Sequence, residues 1–94
     1  MKLADFEMLP KGNLGLRGNQ AILNFGEFDL SIIDDGYGRE QGLFEISVFK
    51  DGDQCELPGI TEEGDTVKGF LTESDVDAII KKMHSITGKE PTQV

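Results

Sequence analysis

Apolar and polar positions alternate through the middle of the chain, and the alternation reverses at two glycine-containing turns. The first is Phe25-Gly26-Glu27-Phe28, with Gly at the first central position of a two-residue turn, as a type II′ hairpin requires. If Phe25 faces Phe28, Leu23 faces Leu30 and Ala21 faces Ile32. Side chains alternate with period two, so all six fall on one face of the pair. The other face carries Ile22, Asn24, Asp29, Ser31 and Ile33 and is mixed, mostly polar.

A loop over 34–42 leads into Leu43-Phe44-Glu45-Ile46-Ser47-Val48-Phe49, rich in β-formers and short for a helix, which reads as a strand. Asp51-Gly52 supplies the two positive-φ positions of a type I′ turn. That turn predicts Lys50 opposite Asp53, Val48 opposite Cys55 and Ile46 opposite Leu57. Pro58-Gly59 ends the strand, Glu62-Glu63-Gly64-Asp65 is a charged loop, and residues 66–71 form a short last strand.

Thr72 followed by Glu73, Ser74 and Asp75 predicts a helix start: a hydroxyl cap, acids in the first turn, and Asp75 placed to complete a capping box. Val76, Ile79, Ile80 and Met83, with Ile86 beyond, recur at the spacing of one apolar stripe. Lys81, Lys82 and His84 suit the negative helix end, and Gly88 is the stop. The expected organisation is an N-terminal arm over 1–17, one domain over 18–88 and a flexible tail over 89–94. The fold class is α+β, an antiparallel meander of four or five strands with the C-terminal helix packed on one face. Its core is built from Ala21, Leu23, Phe25, Phe28, Leu30, Ile32, Phe44, Ile46, Val48, Leu57, Val76, Ile79, Ile80 and Met83. One helix covers part of one sheet face only. The opposite face, lined by Ile22, Ile33, Leu43 and Phe49, is left for the arm or for another protein chain.

Composition narrows the functions. Ninety-four residues form a single domain that buries roughly 64% of its surface, enough for one modest core. Eighteen acids against nine basic residues give a net charge of −9, a field that repels phosphate backbones and anionic lipid. Direct nucleic-acid or membrane-surface binding is therefore not expected. A single cysteine, Cys55, forms no internal disulfide, and one Cys with one His cannot build the usual zinc site. With no long apolar run, the expectation is a cytoplasmic protein.

Each candidate chemistry meets a plainer explanation. Cys55 and His84 are the one possible thiol–imidazole pair, but the hairpin register turns Cys55 toward the core and His84 suits a helix end. Asp51, Asp53 and Glu56 lack the spacing of a calcium loop and read as solvated turn acids. Gly36-Tyr37-Gly38 lacks the third glycine and the following helix of a phosphate loop. Tyr37, an aromatic between glycines at a loop tip, is a candidate contact anchor. No metal, cofactor or catalytic residue is assigned, and the chain is expected not to be an enzyme.

The segments Gly18-Asn19, Phe28-Asp29-Leu30-Ser31-Ile32, Gly36-Tyr37-Gly38, Phe44-Glu45-Ile46-Ser47-Val48 and Val67-Lys68-Gly69-Phe70-Leu71-Thr72 follow a recurring pattern. In it the chain from Gly18 to Ile86 resembles small bacteriophage and mobile-element proteins of unknown function, with Gly26-Glu27 standing where that pattern has Asn-Gly. The resemblance implies a phage origin and life in a bacterial cytoplasm, and supplies no activity. The expected function is a non-enzymatic, acidic, protein-binding accessory factor, whose partner is a host protein or a second copy in a homodimer. Its contact residues are Ile22, Ile33, Tyr37, Leu43 and Phe49 with the loop acids Glu62, Glu63 and Asp65. The alternative is a DNA-mimicking decoy of a host DNA-binding or defence protein, in which Glu62, Glu63, Asp65, Glu73, Asp75 and Asp77 imitate phosphates.

Overall fold

The computed structural model describes residues 1–11 and 18–94. Residues 12–17 of the expected N-terminal arm lie outside the described residues. The two turns set the fold. Gly26 takes φ 76° and Asp51 and Gly52 take 53° and 83°, placing the positive-φ positions where the two hairpin types need them. Strands β1 (Leu9–Pro10), β2 (Asn19–Phe25), β3 (Phe28–Ile33), β4 (Phe44–Lys50) and β5 (Asp53–Cys55) follow as an antiparallel meander. The pairings Phe25 with Phe28, Leu23 with Leu30, Ala21 with Ile32 and Val48 with Cys55 are all present.

One expected pairing is corrected. Ile46 faces Lys68 of β6 (Val67–Leu71) and not Leu57. The Leu57 backbone is diverted into a turn: its N–H donates to Thr61 Oγ1 at 3.0 Å, and its carbonyl accepts from the N–H groups of Ile60 and Thr61. With its donor and acceptor committed there, β5 stops at Cys55, and β6 pairs with the other end of β4.

Thr72 caps α1 (Glu73–Thr87) as its sequence requires. Its Oγ1 accepts from Asp75 N–H at 3.1 Å, and Asp75 Oδ2 accepts from Thr72 N–H at 2.9 Å. Those two hydrogen bonds, the backbone one foremost, lower the Asp75 pKa below its ordinary 3.8, with Lys68 adding a smaller attraction against a desolvation penalty. Because the folded pKa is depressed, the contribution is complete above that ordinary value and fades as pH falls through and below it. Asp75→Asn is therefore expected to lower the melting temperature slightly at pH 7 and to melt like the parent near pH 2; an equal difference at both pH values would refute a role for the ionised carboxylate.

Val76, Ile80 and Met83 are buried against Leu23, Phe25, Leu30, Ile32, Ile46 and Val48, while Phe28, Phe44, Leu57 and Ile79 pack around them half-buried. Leu3, Ile60 and Leu71 also enter this core. Leu3 arrives on a 3-10 turn at Leu3–Asp5, its N–H donating to Asp77 Oδ1 at 2.8 Å. Residues 3–8 thus pack on the helix side, and among the described residues none lies across the opposite sheet face. The end of the chain, expected as a flexible tail, instead makes β7 (Thr92–Gln93) along β2. The Gln93 side chain bonds both backbone groups of Glu7, and Val94 N–H donates to Ile22 O at 2.9 Å. The termini are therefore fastened to each other and to the sheet.

At the other end of the first hairpin, Asp34 accepts from the backbone and side-chain amides of Asn19 at 2.7 and 2.9 Å. Asp35 Oδ1 is shut off from water, and Lys11 Nζ, 2.6 Å away, neutralises it. Gly18, at φ 91°, gives Asp35 the room to lie there.

Candidate functional site

The uncovered sheet face presents alternate residues of β2, β3 and β4. Gln20 Nε2 donates to Ser31 Oγ at 2.8 Å, which satisfies Ser31 although it is buried. Beside this pair Ile22 and Phe49 line one shallow depression of about 200 Å³, with Asp29 and Gly52 at its margin. A second depression, of about 170 Å³, shares Gln20 and Ile22 and continues to Leu9, Pro10 and Val94. Leu9 and Val94 are 46% and 74% exposed. A broken apolar stripe therefore crosses the sheet from Phe49 through Ile22 to the edge formed by β1 and β7, interrupted by Ser31 and Asp29 of β3 and by Lys11, Gln20 and Gln93 at the edge.

Two carboxylates of the central strands lie on this face, and both are engaged locally. Asp29 accepts from Asn24 Nδ2 at 2.9 Å, and Glu45 accepts from the Tyr37 backbone N–H at 2.7 Å. In a chain of net charge −9 this face is poor in unpartnered charge.

Of the expected contact residues, the structure brings Ile22 and Phe49 together. Ile33 is half-buried between its register partners Gln20 and Glu45, and Leu43 is half-buried at the mouth of β4, its N–H donating to Gly38 O. Tyr37 is 61% exposed beyond that end of the sheet. Glu62, Glu63 and Asp65 are exposed on the turn before β6, apart from the stripe. Among the six carboxylates expected to imitate phosphates, three have internal partners: Glu62 pairs with Lys68 at 3.1 Å, Asp75 caps its helix, and Asp77 accepts from Leu3 N–H.

His84 Nδ1 lies 2.8 Å from Lys89 O, and since a carbonyl only accepts, that nitrogen carries the proton and donates. Its ring fastens the segment after the helix. Cys55 is a half-buried free thiol opposite Val48. Among the described residues no three His, Cys, Asp or Glu side chains converge as metal ligands, and no helix is long and apolar enough to cross a membrane.

Leu9, Val94 and Phe70 are exposed but escape a periodicity reading. Leu9 precedes a proline, Val94 ends the chain, and strands of two residues carry no alternation to count. Comparison with protein-family models, with curated proteins and with solved structures found no match.

Proposed function

We propose that the protein is a non-enzymatic, protein-binding accessory factor that pairs with a second copy of itself through the uncovered sheet face. The single observation behind this is the apolar stripe from Phe49 through Ile22 to Leu9 and Val94, in a surface otherwise dominated by acids. Two copies meeting there bring together the charge-poor part of each molecule and keep the acidic rims outward. A twofold pairing is self-complementary, the same patch serving both copies. In a bacterial cytoplasm, as the resemblance to phage-encoded proteins implies, this would be a small intracellular dimer. The decoy reading has less support, because three of its six carboxylates already serve the fold.

Strand spacing and rise give the face roughly 20 by 20 Å, so about 800 Å² for a pair and about 1,000 Å² with the Leu9–Val94 margin. That sits below the usual 1,200 to 2,000 Å² of stable complexes, so the dimer is weak and reversible. Sedimentation equilibrium from 10 μM to 1 mM is expected to show reversible dimerisation that added salt does not weaken, since salt screens the repulsion between two acidic rims. Phe49→Glu and Ile22→Glu, at half-exposed positions, are expected to keep the fold and abolish the dimer. A monomer at 1 mM, or a dimer indifferent to both substitutions, would overturn the proposal.

A further inference from the structure

Six phenylalanines and one tyrosine supply the aromatic surface of the chain, and five of the phenylalanines are buried or half-buried. The exceptions are Phe70, 58% exposed, and Tyr37, 61% exposed. They lie far apart in sequence but on joined backbone: Phe70 N–H donates to Tyr37 O at 3.0 Å.

Phe70 also adopts φ 57°, in the left-handed region that disfavours a bulky side chain. It sits in a bulge where β6 spends three steps, Leu71 to Lys68, against two steps of β4, Phe44 to Ile46. Such a bulge re-aims a side chain. Here it turns an aromatic ring toward solvent, so the strain is not offset by burial. A glycine or asparagine would take this backbone shape with less strain.

The surroundings hold the arrangement rigidly. Tyr37 N–H is bound by Glu45 Oε2 at 2.7 Å, and a Cβ on Gly36 would overlap that same carboxylate. A Cβ on Gly69 would come within 2.5 Å of Tyr37 Cβ, and one on Gly38 within 3.0 Å of Phe70 Cα. The loop at Gly36–Gly38 and the bulge of β6 are thus interlocked at three glycines to carry two exposed rings. A backbone fixed in advance loses little freedom on binding, and each ring has only two side-chain torsions to order.

We infer that Tyr37 and Phe70 form a docking platform for a protein segment presenting an arginine or lysine beside apolar side chains. The inference rests on the reading of the chain as a protein-binding factor and adds the partner's chemistry. Charge selects it: the cations nearest along the chain, Arg39 and Lys68, are paired with Glu40 and Glu62 at 3.6 and 3.1 Å, so the −9 of the whole molecule attracts a cation and repels a phosphate backbone, and an aromatic face accepts a guanidinium or ammonium group. Exposed aromatics also stack nucleobases, but that mode relies on a positively charged groove to carry the strand.

The probe is a peptide of four Arg-Leu repeats titrated into the isotope-labelled protein, with binding mapped by amide NMR shifts. Shifts centred on Tyr37, Phe70 and their hydrogen-bonded neighbours are expected. Replacing every Arg of the peptide by Gln, or making Tyr37→Ser or Phe70→Asn in the protein, should weaken binding at least tenfold. Phe70→Asn should also melt at or above the parent temperature, because the backbone strain is relieved. The inference is overturned if the Gln peptide binds equally, if either variant binds as the parent does, if the shifts centre on other surfaces, or if a ten-nucleotide oligothymidylate binds more tightly. A markedly lower melting temperature for Phe70→Asn would also overturn it, by showing that the ring is kept for packing. Phe49→Glu separates the two proposals, since it should abolish self-association and leave this titration unchanged.

Discussion

Ile80→Asp is expected to leave the protein without a cooperative thermal transition. Ile80 is 1% exposed in the middle of the apolar stripe of α1, facing a sheet built from Leu23, Leu30, Ile32 and Ile46. A carboxylate there loses water and gains no partner, and it enters charged or must bind a proton. With the lost packing the cost is about 5 kcal/mol, comparable to the whole stability of a small domain. The amide NMR spectrum should collapse toward random-coil shifts. Ile86→Asp, one turn beyond Met83 and 44% exposed, is the control and should shift the melting temperature little. An unchanged melting temperature in Ile80→Asp would refute the placement of the helix.

Gly18→Ala is expected to have the second largest effect, and two other glycines explain its size. Gly52 has φ 83° with open space around it, so Gly52→Ala meets only the backbone preference, about 1 to 2 kcal/mol. Gly69 has no positive φ but a crowded Cβ position, so Gly69→Ala meets only overpacking, about 1 to 3 kcal/mol. Gly18 combines both. At φ 91° its Cβ would lie within 2.6 Å of Asp35 Cβ, and Asp35 cannot swing away without leaving Lys11. The sum is about 2 to 5 kcal/mol, which for a domain of this size lowers the melting temperature by roughly 10 °C or more. Thermal unfolding of the three variants side by side checks this, and a loss in Gly18→Ala no larger than in Gly52→Ala would refute the Asp35 contact.

What could be read in the sequence was whatever a turn anchors. Gly26-Glu27 and Asp51-Gly52 each specify two positive- or mixed-sign φ values, and those propagate a register along six residues of β2 and β3 and three of β4 and β5. Thr72 with Asp75 anchored the helix in the same way. Prediction failed where no local signal decides the partner. Leu57 looked like the next residue of a ladder, yet a hydroxyl four residues on takes its N–H. Leu3, Ile60 and Leu71 reach the core from a turn, a loop and a strand end, where no period marks an inward face. Half of the candidate site was legible: alternation placed Ile22 and Phe49 on the uncovered face, but Leu9 and Val94 reach it from segments too short to alternate. Phe70 was hidden for the opposite reason, since an aromatic is among the last residues one expects in a left-handed bulge.

The sheet is bordered on each side by two short pieces and not by one long strand. β1 and β7 divide the margin along β2, and β5 and β6 divide the margin along β4, with β6 broken again by its bulge. A seven-stranded sheet would ordinarily offer two rows of unpaired amides and carbonyls on which further chains could stack edge to edge. Among the described residues no margin runs straight for more than a few residues, which shortens the template for fibril growth by strand addition. The proposed pairing through one bare sheet face therefore does not invite polymerisation along the borders of the sheet.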